Sequence, residues 1–61
     1  MTVKRRDLIK ELEEIGCIFI RHGGNHDWYQ NPLTKVLQPI LRHREINDTL
    51  AKHILKMLQN S

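Results

Sequence analysis

Cysteine, glycine, proline and aromatic residues are all scarce in this chain. Its 61 residues include one Cys, three Gly, two Pro and one each of Phe, Trp and Tyr. A single Cys17 excludes an internal disulfide and any cysteine-based metal site, and fits a reducing compartment. No apolar run approaches the roughly 18 residues of a membrane span, and the first residues lack the apolar core of a signal peptide. We therefore expect a soluble, cytoplasmic protein with no membrane association. Repeats, low-complexity segments and linkers are missing too, so residues 1–61 read as a single domain. A domain of this size buries only about 60% of the surface its unfolded chain exposes, which argues against a deep, enclosed active site.

Charge is plentiful, and the balance is mildly basic. Ten Lys and Arg against seven Asp and Glu give a formal net charge of +3 and a pI near 9.4. This suits a nucleic acid or an acidic protein partner. Between Lys4 and Ile15 the apolar residues Leu8, Ile9, Leu12 and Ile15 draw one stripe down a helix, with Thr2 or Lys4 as N-cap and Gly16 as the stop. Lys4, Arg5 and Arg6 crowd the positive end of that helix and Glu13 and Glu14 its negative end, against the macrodipole preference. A dense positive spot at a helix N-terminus suits a phosphate or carboxylate, and reads equally well as solvated charge tolerated at a frayed helix end.

The centre of the chain, Arg21 to Tyr29, organises the rest. Gly23-Gly24 or Gly24-Asn25 supplies residues able to adopt positive φ, as a tight hairpin demands. Cys17 to His22 then reads as a strand with Cys17, Phe19 and Arg21 on one face and Ile18, Ile20 and His22 on the other. His26 to Gln30 forms the second strand, with His26, Trp28 and Gln30 together and Asp27 beside Tyr29. Asn31-Pro32-Leu33-Thr34 is turn chemistry. Val36 to Leu41 is a third strand, which Pro39 confines to an edge or a bulge. After the basic loop Arg42-His43-Arg44, a second helix starts at Asn47 as N-cap and carries Leu50, Ala51, Ile54, Leu55 and Leu58 on one stripe. The expected architecture is α+β, in the order α-β-β-β-α, with a three-stranded antiparallel sheet and both helices on one of its faces.

Within that frame Arg21-x-x-Gly24-Asn25-His26-x-x-Tyr29 resembles the HicA family of bacterial toxins, and the similarity covers nearly the whole chain. Its most diagnostic element is the triplet of glycine, small polar residue and histidine, Gly24-Asn25-His26. The resemblance implies a fold like that of double-stranded-RNA-binding domains, an endoribonuclease (mRNA interferase) activity on mRNA that uses His26, and neutralisation by a HicB antitoxin. The chain departs from the family in having Leu41-Arg42-His43 where a proline often precedes the basic residue and His. It also has Asp27 where a basic or apolar residue commonly follows the histidine.

The chemistry asks for little. Histidine titrates near neutrality and can take a proton from a ribose 2′-hydroxyl or give one to a leaving 5′-oxygen. Ribose carries its own nucleophile, so the reaction calls for no metal or other cofactor, and the four histidines lack ligand spacing in any case. His26 is the candidate catalytic residue. Lys4, Arg5, Arg6, Arg21, Gly24, Asn25, Arg42, His43 and Arg44 are the candidate RNA contacts. Cys17 is expected in the core and His53 in solvent. Two further readings stand beside this one: a non-catalytic RNA-binding module with the same basic surface, and a protein-binding adaptor that uses its exposed edge strand.

Overall fold

The computed structural model describes residues 1–59. Its elements are β1 (Thr2–Lys4), α1 (Arg5–Ile15), β2 (Ile18–Gly23), β3 (His26–Gln30), β4 (Leu37–Leu41), β5 (Glu45–Asn47) and α2 (Asp48–Leu58). The α+β architecture is as expected: β2, β3 and β4 form an antiparallel meander with β3 in the centre, and both helices close over one face of it. The short strands β1 and β5 were not anticipated. They pair antiparallel, Val3 opposite Ile46, and so tie the start of α1 to the start of α2. Three-residue strands carry too little periodicity to be read from sequence.

Each helix obeys its local signals. Lys4 is the N-cap of α1 but offers no side-chain bond. The backbone does that work instead, with the Arg5 N–H donating to the Arg44 carbonyl at 2.9 Å. Gly16 closes the helix in the left-handed region, at φ 109°, its N–H donating to Leu12 and Glu13. Asn47 caps α2 by accepting from the Thr49 and Leu50 N–H groups.

The core gathers Leu8 and Leu12 from α1, Ala51, Ile54 and Leu58 from α2, Tyr29 from β3, Ile40 from β4, Ile46 from β5, and Cys17. Val3 packs against this cluster, as a hydrophobic staple would place it. Leu50, expected on the buried stripe of α2, is exposed. Burial pushes the Cys17 thiol up from its ordinary pKa, and Cys17 is a small core residue as anticipated. Pro39 does sit on an edge strand, opposite Trp28, where its missing N–H costs no ladder bond to a further strand.

The phase of β2 differs from the simple alternation. Ile18 pairs with Gln30 and Phe19 with Tyr29, but Arg21 pairs with Trp28 and His22 with Asp27, so a β-bulge lies between Phe19 and Arg21. One extra residue reverses which side the remainder of the strand presents. His22 therefore shares the helix-side face with Phe19, their rings 4.9 Å apart. Arg21 joins Ile18 on the open face.

Candidate active site

The hairpin between β2 and β3 turns on Gly24 and Asn25. Only Gly24 has a positive φ, 63°, the sign pattern of a type II′ turn. Gly23 has another role. A Cβ there would lie 2.7 Å from Nε1 of Trp28, so the indole packs against a residue that must lack a side chain. The Asn25 carbonyl accepts from the Arg42 N–H at 3.1 Å, which fastens the basic loop to the hairpin tip. In this way one end of the sheet collects the end of β2, the start of β3, the exit of β4 and the first turn of α1.

Asp27 lies at the heart of that end. Alternation along β3 turns it inward with Tyr29, across from Ile40, and its side chain is only 10% exposed. Three donors surround it. Arg5 Nη2 reaches Oδ2 at 2.6 Å, His22 Nδ1 reaches Oδ1 at 2.6 Å, and Arg42 Nε lies 3.3 Å from Oδ1. Arg5 also donates from Nε to the Leu41 carbonyl at 2.8 Å. The hydrogen bond from His22 holds the Asp27 carboxyl below its usual pKa; burial opposes this, and the charges of Arg42 and Arg5 add to the lowering.

The 2.6 Å contact also fixes the state of the histidine. An unprotonated ring nitrogen could not approach a carboxylate oxygen so closely, so Nδ1 carries a proton and Nε2 points elsewhere. Arg42 Nη2 lies 3.0 Å from that Nδ1, and the two side chains meet the same carboxylate, His22 through Nδ1 and Arg42 through Nε. The His22 side chain is 64% exposed.

His26 stands on the other side of the hairpin. It pairs with Gly23 across β2 and with Leu41 across β4, and it shares the open face with Trp28 and Arg21. No hydrogen-bond or ion-pair partner meets it among the described residues. Asp27, which sequence places next to His26, instead turns away from it and binds His22.

The candidate RNA contacts thus divide. Lys4, Arg6 and Arg44 line, with Arg5 and Glu45, a cleft of about 460 Å³ beside the start of α1. Arg21 lies on the open face beside His26, Gly24 and Asn25 form the tip, and His43 is exposed in the loop. Arg5 and Arg42, expected to meet phosphate, are engaged by Asp27. Sequence reasoning gave His22 no catalytic or RNA-binding role and read Asp27 only as a charge beside His26. A carboxylate on the core side of β3 was the available signal for Asp27; the bulge that delivers His22 to it left none. Among the described residues no three His, Cys, Asp or Glu side chains converge as a metal site, and no helix is long and apolar enough to cross a membrane.

Fold and site define a small α+β domain with a cationic, histidine-bearing sheet end. The HicA toxin family matches the chain over residues 5–59, all of the described structure except residues 1–4. The chain belongs to that family and is the toxin half of a pair completed by an antitoxin. No curated protein and no solved structure matches it.

Proposed function

We propose that this toxin is a metal-independent endoribonuclease that cleaves mRNA, with His26 moving the proton at the ribose. The observation that carries the reading is the place of His26. Its imidazole is without an intramolecular partner among the described residues, at a glycine turn, on the same face as Arg21 and at the sheet end where the other cations gather. In the reaction His26 takes the proton of the 2′-hydroxyl, O2′ bonds to phosphorus, and the bond from phosphorus to the 5′-oxygen breaks. Fixed positive charge stabilises the pentacoordinate phosphate. The products are a 2′,3′-cyclic phosphate and a 5′-hydroxyl.

The test is pure protein with a defined RNA in EDTA, wild type beside His26→Ala. Acid-base catalysis is worth about 10² to 10⁴ in rate, so the variant should lose cleavage by that factor and keep RNA binding. Full cleavage by folded His26→Ala would refute the assignment, and binding without cleavage by the wild type would make the chain an RNA-binding module. A HicB-like antitoxin that occludes His26 in the cytoplasm completes the proposal. A complex that leaves His26 open while cleavage stays inhibited would refute occlusion.

A further inference from the structure

We propose that Trp28 is a base-stacking residue of this site and that the open face of the sheet takes single-stranded RNA, one nucleobase lying on the indole while the neighbouring phosphate lies at His26. The inference rests on the reading above that RNA is what this site takes, and adds where the strand lies and what holds it. Among the described residues Trp28 belongs neither to the core cluster nor to the apolar side chains packed against it. Alternation along β3 turns it away from Asp27 and Tyr29, onto the face that neither helix covers, where it is half-buried. Ile18, Leu37 and Pro39 lie beside it there, so the largest ring of the molecule sits in a contiguous apolar patch on the surface. Such a patch marks a binding surface where a single exposed side chain would not.

The register and the charges on this face say what it binds. Arg21 lies opposite Trp28 on one side and Pro39 on the other, while Gly23 and Leu41 lie opposite His26 in the same way. The indole leans toward the hairpin tip: a Cβ on Gly23 would be 2.7 Å from its Nε1 and 3.0 Å from its Cδ1, so its edge sits against the direct partner of His26. Along β3 the two residues are about 6.8 Å apart, about the length of one extended nucleotide. Asp27 is the only carboxylate in β2, β3 and β4, and it faces the helices. The open face therefore presents Arg21, His26 and an aromatic platform with no negative charge among them. An acidic protein surface would meet the cation as well, but a platform and a cation with a histidine one nucleotide away fit a chain in which bases and phosphates alternate. A duplex does not fit, because its base faces are already stacked on one another.

The test reads Trp28 directly, because it is the chain's one tryptophan. The probe is a short mixed-sequence oligonucleotide with 2′-O-methyl riboses, which lacks the nucleophile and is not cut, end-labelled so that anisotropy reports binding. Beside it run its duplex with the complementary strand and an abasic oligomer that keeps the sugars and phosphates without the bases. The single strand should quench Trp28 emission; the duplex and the abasic oligomer should not. Stacking on an aromatic ring strengthens binding by about 5- to 150-fold per base, so Trp28→Leu should bind the single strand more weakly by that factor. Its salt slope should be unchanged, since no phosphate contact is lost, and Trp28→Phe should recover most of the affinity. A bound single strand that leaves the emission unchanged, equal quenching by the duplex or the abasic oligomer, or a folded Trp28→Leu that binds like wild type would overturn the stacking role. Cleavage is read separately, on ordinary RNA with His26→Ala. Cleavage that depends on His26 without quenching overturns this inference alone, quenching without cleavage overturns the cleavage reading alone, and a wild type that binds no RNA overturns both.

Discussion

Gly23 and Gly24 are neighbours in one hairpin, yet the structure requires them to be glycine for different reasons, and a pair of alanine substitutions should expose the difference. At Gly23 a methyl carbon would sit 2.7 Å from Nε1 and 3.0 Å from Cδ1 of Trp28. Comfortable contact between such atoms is about 3.5 Å or more, so the overlap approaches 1 Å. The indole is rigid, and its strand partners Arg21 and Pro39 flank it, so relief must come from rotation off its rotamer or movement of the backbone. Overpacking of this kind costs about 1–3 kcal/mol. At Gly24 a methyl group would touch nothing within 4 Å, but φ is 63°, and a left-handed non-glycine residue costs about 1–2 kcal/mol. In a 61-residue chain whose stability is on the order of 3–9 kcal/mol, both losses are large, and each kcal/mol lowers Tm by about 4–8 °C. Both variants should melt early, but only Gly23→Ala should shift the native-state emission of Trp28, the chain's one tryptophan. Circular dichroism melts with tryptophan fluorescence make the comparison. A Gly23→Ala protein with unchanged emission and Tm would refute the packing argument.

Arg5→Ala removes two hydrogen bonds from a half-buried guanidinium and should lower Tm by on the order of 5–10 °C. Arg6→Ala, at an exposed side chain 3.9 Å from Asp7, should change stability by less than about 0.5 kcal/mol, and equal melts would show that the Asp27 contacts are idle. Because the folded-state pKa of Asp27 is lowered, chiefly by its His22 bond, its contribution is fully present above the ordinary carboxylate value of about 4 and is lost as pH falls through the depressed folded value. Asp27→Asn should flatten that acid-side decline in Tm, and parallel wild-type and variant curves would refute the linkage. Replacing Lys4, Arg6, Arg21 or Arg44 by Ala should each reduce the salt slope of RNA binding by roughly one ion; a slope unmoved in all four would remove this surface from the RNA footprint.

Both helices, their stop and cap residues, the hairpin and the edge position of Pro39 were legible because each is written in local chemistry: an apolar period, a glycine after Ile15, an asparagine before Asp48. The bulge between Phe19 and Arg21 was not. It depends on which pairing buries most, and Cys17 to His22 is apolar enough on both faces to permit either phase. Asn31 was legible as a turn residue but not as a buried one, whose Nδ2 donates to the Leu58 carbonyl at 2.8 Å and ties the turn to the end of α2. Of the candidate site, the histidine at the turn and most of its cations could be read directly. The exceptions, Arg5 and Arg42, are long side chains whose partner, Asp27, is distant in sequence and reached only through the tertiary fold.

Asp27 links three separate parts of the fold. A buried carboxylate is costly unless it is paired and hydrogen-bonded, and its partners here come from α1, β2 and the loop after β4. An apolar residue at that position would pack against Ile40 without these partners and would release Arg5 and Arg42 to solvent. The chain instead commits two cations to hold a carboxylate, and the carboxylate in turn holds His22. The exchange lowers the free positive charge at this end of the sheet and gives in return a fixed imidazole on an otherwise open surface.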